Sequence, residues 1–320
     1  MIRSWTARLI ALAFGLGSLA AGVLAQWGRT NARLDLLGHF APVWLAVALA
    51  TALLALAGTR GAWRVSLLAL AFLGAAFSAS LLAPEFARPI RPAVGGEGAP
   101  RLRLIQFNSW DANIDPARTA DWIAAQHPDV VTIEEVTPVL RLALEARGLR
   151  YTKGMVSAAI FSRAPPAPAP FMVPQPFWRV LPDFARATFN APGGAGAFSV
   201  IAVHLNRPTI AESAGQPGAL VRFLTLYPQD RLIMAGDFNR TPWSFDLRRL
   251  DDRFALERLD RALPTWPARL WVKGRRLRLP PLLPIDHVYV GRAWRLVALR
   301  RGPPMGSDHY PLVVDLALED

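Results

Sequence analysis

Asp237 and Asn239 stand two residues apart in LIMAGDFNRTPWS (232–244), where a short apolar run stops at a carboxylate and an amide. The same arrangement recurs along the chain. Asn108 follows RLRLIQF, Glu134 and Glu135 follow an apolar DVVTI, His204 ends AFSVIAVH, and Asp308 with His309 precedes LVVDLAL. Asp286 opens a further apolar run. Singly, each has an ordinary explanation, such as an Asn in a turn or a Glu at a helix start. Together they supply oxygen donors and two imidazoles in a chain with no Cys. Such a set suits a hard cation, Mg²⁺ or Mn²⁺. It also suits phosphate-ester cleavage, which needs a polarising metal, a group to orient or deprotonate water, and donors for developing charge. Zinc-protease, nucleotide-loop and serine-hydrolase readings lose support, because HExxH, GxxxxGK[ST] and GxSxG are all absent.

These residues need rigid holders, and from Arg101 onward the sequence alternates short strands with helices. RLRLIQF alternates in polarity as a half-buried strand does. Asp115 and Pro116 read as the N-cap and first residue of a helix. Thr137 and Pro138 open another helix, which Gly148 closes. Strands follow at AFSVIAVH, RLIMAGD, IDHVYV and LVVDLAL. The alternation predicts an α/β or layered α+β domain over 101–320.

The first hundred residues are of another kind. Leu9–Ala25, Ala41–Ala57 and Val65–Ala83 are uncharged apolar segments. At ~17 to 19 residues each is just long enough to cross a ~30 Å hydrocarbon core as a helix. Trp5, Arg8, Trp27, Arg29, Trp63 and Arg64 flank them, as interfacial Trp and snorkelling Arg flank membrane spans. Arg3, Arg8, Arg60 and Arg64 lie in stretches without acids, whereas Asp35 offsets Arg29 and Arg33. This bias predicts a multi-pass protein of the cytoplasmic membrane, with its N-terminus inside and everything beyond Ala83 outside. A signal peptide cleaved after Ala25 is the alternative for the first segment. A Pro/Gly linker is expected over 84–100, short enough to keep the following domain close to the bilayer.

FN at 107–108, PDVVTIEEV at 128–136, VHL at 203–205, GDFN at 236–239, IDHVYV at 285–290 and GSDHYP at 306–311 occur in order. In these motifs the chain resembles the endonuclease/exonuclease/phosphatase superfamily over 101–320. The resemblance implies a four-layer sandwich of two mixed β-sheets flanked by helices, here preceded by transmembrane helices. It also implies hydrolysis of phosphodiesters or phosphomonoesters with Mg²⁺ or Mn²⁺. By motif, Glu135, Asn108 and Asp308 fall at metal-side positions, and Asn108, Asn239 and His204 at phosphate-binding ones. Asp237 matches the acid that orients or deprotonates water, His309 the terminal catalytic His, and Asp286 the carboxylate orienting it. His204 and Asn239 complete the implied catalytic set. The proton acceptor, Asp237 or His309, is left open by the motifs. Glu134 stands where many relatives have Gln, and Trp110 where some DNA-repair relatives have Asp.

A net charge of +12 fits nucleic acid, anionic lipid or phosphorylated substrates alike. The short tether favours a lipid or lipid-linked phosphate. So does RLWVKGRRLRLPPLLP (269–284), where Trp271, Lys273, Arg275, Arg276 and Arg278 sit among apolar residues. On anionic lipid each basic residue contributes about 1 kcal/mol. The arrangement also resembles bacterial membrane proteins linked to glycopeptide resistance, which are thought to act on polyprenyl phosphates. A membrane-tethered nuclease is the second reading and an inactive scaffold the third. Thr241–Pro242–Trp243 is expected to wall the site.

Overall fold

The computed structural model describes residues 5–93, 101–155, 157–168, 180–191, 194, 196–272 and 275–319. The chain forms two compact units. One holds the residues up to Arg88 together with Thr241–Arg249, and the other holds the remainder.

The first unit contains α1 (Trp5–Gln26), α2 (Ala32–His39), α3 (Ala41–Gly58) and α4 (Gly61–Ala87). Among the described residues α1 with its following turn, α3 and α4 are long and apolar enough to cross a membrane. The helices meet through small side chains. Gly15, Ser18 and Gly22 of α1 and Ala71, Gly74 and Ser78 of α4 are buried, and a Cβ on Gly74 would lie 2.7 Å from the Ser18 hydroxyl. Large residues such as Phe14, Leu53 and Phe72 face outward. Small residues inside and large apolar ones outside are the pattern of helices packed in lipid. The expected linker start at residue 84 is displaced, because α4 runs through Pro84 to Ala87. A proline one turn from a helix end forfeits a single hydrogen bond, so the helix survives it. The rest of the expected linker, 94–100, lies outside the described residues. Arg91 is docked, its backbone N–H and its guanidinium both donating to Glu257.

The second unit is built on two mixed sheets. In the first, the order is β12 (Trp294–Arg301), β13 (Leu312–Leu318), β1 (Arg101–Asn108), β2 (Val130–Glu134), β4 (Ala158–Ser162), β3 (Arg150–Met155). In the second it is β5 (Asp183–Asn190), β6 (Ala197–His204), β7 (Leu232–Asp237), β11 (Asp286–Val290), β8 (Glu257–Arg258). The β1–β2 and β6–β7 pairs are parallel. A core runs between the sheets through Leu104, Val130, Val200, Ala202, Ile233, Ala235, Val288 and Val314. Ile105, Phe107, Val131 and Ile133 point the other way, against Ile123 of α5 (Pro116–Ala125) and Leu140 and Leu144 of α6 (Pro138–Glu145). Across the second sheet, Phe223 of α7 (Gln216–Leu224) packs 4.9 Å from Phe184. Helix, sheet, sheet, helix is the four-layer arrangement expected from the motifs. Asp115 and Thr137 cap α5 and α6 through their side chains, as their positions before Pro suggest.

Candidate active site

Strand pleating selects which residues meet. Side chains alternate across a strand, and the inter-sheet core takes Leu104, Val130, Val200, Ala202, Ile233, Ala235, Val288 and Val290. The same faces therefore carry Gln106 and Asn108 on β1, Glu134 on β2, His204 on β6, Asp237 on β7 and Asp286 on β11. Register brings them to one end: Asn108 pairs with Glu134, His204 with Asp237, and Asp237 with Asp286. The apolar strands hold a polar cluster at the mouth of the sandwich. Gly236 permits the close β6–β7 approach, since a Cβ there would lie 1.8 Å from the Val203 carbonyl oxygen.

Asp237, 1% exposed, is the hub. Its Oδ2 accepts from Asn108 Nδ2 and Asn239 Nδ2, both at 3.1 Å. The Nε2 atoms of His204 and His309 each lie 3.7 Å from that same oxygen. Its Oδ1 accepts the Asn239 backbone N–H at 2.8 Å. Asn239 takes a left-handed φ of 51° to make these bonds. Its amide also donates to the Leu205 carbonyl at 2.9 Å, so the donors assigned to phosphate are here used within the site. Glu135, φ 53°, turns its side chain back toward Asn108 Nδ2 at 3.1 Å and His204 Nε2 at 3.8 Å. Trp110 donates its backbone N–H to Asn108 Oδ1 at 3.0 Å, so the loop carrying it orients that amide.

His309 Nδ1 lies 2.8 Å from Asp286 Oδ2. Burial alone would lower the imidazole pKa, but the carboxylates of Asp286 and Asp237 outweigh it and raise it to about 10. Burial would raise Asp286, yet the His309 charge and the hydrogen bonds from His309, Thr265 and Gln106 hold it below the usual range. Asp237 is raised, burial outweighing its imidazole neighbours. Asp308 lies 4.0 Å from His309 Nε2, and its Oδ2 accepts the Trp266 indole N–H at 3.0 Å. All the residues singled out by motif thus come together, Asp308 at the edge.

Three contributors escaped the sequence reading. Gln106 Nε2 donates to Glu134 Oε2 at 2.9 Å and to Asp286 Oδ1 at 2.8 Å, bridging the sheets beneath the site. Trp266 holds Asp308. Ser307 Oγ donates to the Asn108 carbonyl and accepts the His309 N–H, at 2.8 and 2.9 Å. An amide at the third-last position of β1 was the available signal for Gln106, since that position points inward. Burial pushes the Glu134 carboxyl well above its usual range, and Asp286 and Asp237 push the same way. This surrounding favours the neutral acid at Glu134, and Glu134→Gln is expected to keep turnover within about twofold, because the exchange is close to isosteric. A tenfold loss in steady-state turnover would contradict that reading.

Trp243, expected to wall the site, belongs to the first unit. It is 4% exposed and its indole N–H donates to the His39 carbonyl at 2.8 Å, within the first unit.

Among the described residues no group of three or more His, Asp or Glu side chains is arranged as a metal shell. The donors are nonetheless carboxylate and amide oxygens, and Mg²⁺ is commonly held by one or two carboxylates with water completing its shell. Glu135 supplies a carboxylate of that kind, whereas Asn108 here turns its Nδ2 to Glu135 and its Oδ1 to the Trp110 N–H.

The model of the endonuclease/exonuclease/phosphatase family matches residues 105–309. Among solved structures, an endonuclease/exonuclease/phosphatase from Beutenbergia cavernae DSM 12333 is similar with TM-score 0.53 and 22% identity, over 69% of this chain and 72% of that one. A humanized D. rerio TDP2 carrying 14 mutations is similar with TM-score 0.51 and 16% identity, over 68% and 98%. A family protein from Leptotrichia buccalis C-1013-b gives 0.50 and 14%, over 68% and 100%. A comparison with curated proteins returns no match. These likenesses are likenesses of fold.

Proposed function

The chain belongs to the endonuclease/exonuclease/phosphatase family, and on that premise we propose a membrane-anchored, divalent-metal-dependent phosphoesterase acting on a lipid or lipid-linked phosphate outside the cytoplasmic membrane. The observation that carries the chemistry is the convergence of Asn108, His204, Asn239 and His309 on Asp237. Asp237, its pKa raised by burial, is a stronger base than an ordinary carboxylate and is placed to take a proton from water. His309, protonated near neutrality, faces it as a donor to the developing charge or the leaving oxygen. Asp286 holds that imidazole by its Nδ1. His204 offers a further donor to phosphate oxygens, and Asn239 would do so on exchanging its bond to the Leu205 carbonyl or to Asp237. Glu135 and Asn108 would hold Mg²⁺ or Mn²⁺, which supplies Lewis-acid polarisation of the phosphoryl oxygen.

The substrate class rests on the anchor. Three membrane-length helices precede the catalytic sandwich, so every turnover takes place near a bilayer. Part of the catalytic chain, Thr241–Arg249, groups with α2 and the spanning helices. With three spans, the connection after the first and the chain after the third emerge on one side, which agrees with that grouping. The strands Arg269–Val272 and Arg275–Arg278 form a hairpin, with Arg275, Leu277, Arg278 and Leu282 exposed. Lys273 and the side chains of Trp271 and Arg276 lie outside the described residues. Exposed Arg and Leu side chains on the second strand and just beyond it suit an anionic interface.

The test is metal-dependent hydrolysis by detergent-purified protein offered polyprenyl pyrophosphate, a phospholipid and plasmid DNA side by side. Phosphate or headgroup release with intact DNA is expected. Nicked DNA with untouched lipid would replace this reading by a tethered nuclease, for which the +12 charge is the supporting observation.

A further inference from the structure

The stretch after Asn239 is gripped by the segment joining the first two spans. Asp35, 2% exposed, accepts the backbone N–H groups of Phe245 at 2.9 Å and Asp246 at 3.1 Å. His39, 5% exposed, presents Nδ1 to the backbone N–H and the hydroxyl of Thr241, each at 3.3 Å. Its carbonyl takes the Trp243 indole N–H. Gly28 is required for the fit, since a Cβ there would come within 2.9 Å of both the Asp35 carboxylate and the Phe245 ring. Five bonds to Asp35 and His39 thus come from a stretch more than 200 residues away in sequence.

That stretch begins two residues beyond Asn239. On the catalytic side, the Arg240 carbonyl faces His287 Nε2 at 2.8 Å, and its guanidinium donates to the Asn206 carbonyl at 2.8 Å. Asn239, just before both Arg240 and that stretch, keeps a left-handed backbone, a conformation unfavourable for a residue with a Cβ that persists where its surroundings over-determine it. On the other flank the Phe238 backbone N–H donates to the Ile285 carbonyl at 2.9 Å, and with Arg240 and Thr241 held after Asn239 this is such a constraint. We propose that α2, the short helix Ala32–His39 between the first two spans, is a positioning element of the catalytic turn, with Asp35 and His39 as positioning residues. The anchor then serves the chemistry as well as the attachment.

This inference rests on the assignment of Asp237 and Asn239 to catalysis. Its test is made on full-length protein in detergent with bis(p-nitrophenyl) phosphate, a soluble ester that removes the tethering of substrate to the membrane from the result. Asp35→Ala and His39→Ala are each expected to lower kcat by about ten- to a hundredfold, the effect of slight misplacement of reacting groups, with KM nearly unchanged. Amide exchange is expected to quicken at Phe245 and Asp246 and also at residues 238–240. Asp35→Asn and His39→Asn retain an acceptor and should recover part of the loss. They also serve if the Ala variants fail to fold. Wild-type kcat in folded variants, or faster exchange confined to 241–249, would overturn the proposal. If the wild-type protein cleaves no phosphate ester, the functional reading fails separately, and exchange at 238–240 decides the inference by itself.

Discussion

Asp237→Ala is expected to lower turnover by about 10³-fold or more, the scale on which a general base and its electrostatic partners act, while the protein stays folded. The substitution removes the proton acceptor and the oxygen on which two amides and two imidazoles converge. Folding is expected to survive because Asp237 keeps its backbone pairing with β6 and β11, and because its carboxylate is disfavoured by burial. Asp237→Asn is the less informative change. Its new NH₂ would face the Asn108 and Asn239 amides that already donate to Oδ2, leaving buried donors without acceptors. His309→Ala should fall nearly as far, since it removes the cation opposite Asp237. Steady-state hydrolysis, with thermal unfolding of the same samples, makes the comparison. A folded Asp237→Ala protein with a tenth of the wild-type rate would place the chemistry elsewhere.

What the sequence disclosed and what it hid divide along a physical line. Strand ends were legible because an apolar run stopping at Asn108, His204 or Asp237 is a local signal, and pleating then dictates which face the polar residue takes. Helix starts were legible for the same reason at Asp115 and Thr137. Contacts between distant segments left no such mark. Gln106 reads as one polar residue in an alternating strand, and only the packing of two sheets shows it spanning Glu134 and Asp286. Helix α2 reads as a charged loop, because Asp35 looks like the counterweight to two arginines until its partners at Phe245 and Asp246 are seen. Trp243 suggested a wall of the site because it follows the motif so closely. Its burial beside His39 reflects a partner roughly two hundred residues upstream, which no local pattern encodes.

Asp286→Asn is expected to move the alkaline limit of activity downward and to lower turnover at pH 8 on the order of 10²-fold, the kind of loss that follows when a catalytic imidazole is deprived of its carboxylate. His309 is raised from 6.5 to about 10 despite burial, because Asp286 and Asp237 favour its charged form. A cation with a raised pKa is present below that value and lost above it, so activity that needs the imidazolium declines as pH rises through about 10. The same shift stabilises the fold fully below pH 6.5, and that contribution is lost as pH rises through about 10. An Asn at 286 can still accept from Nδ1, but it brings no negative charge. The imidazole pKa then falls, the limit moves toward neutrality, and the decline of stability with pH begins earlier. Profiles of kcat from pH 5 to 10.5 for both proteins, with unfolding followed over the same range, provide the check. An unchanged alkaline limb in the variant would mean that His309 does not act as the charged partner, and the proton would have to be taken by the imidazole with Asp237 in the supporting role.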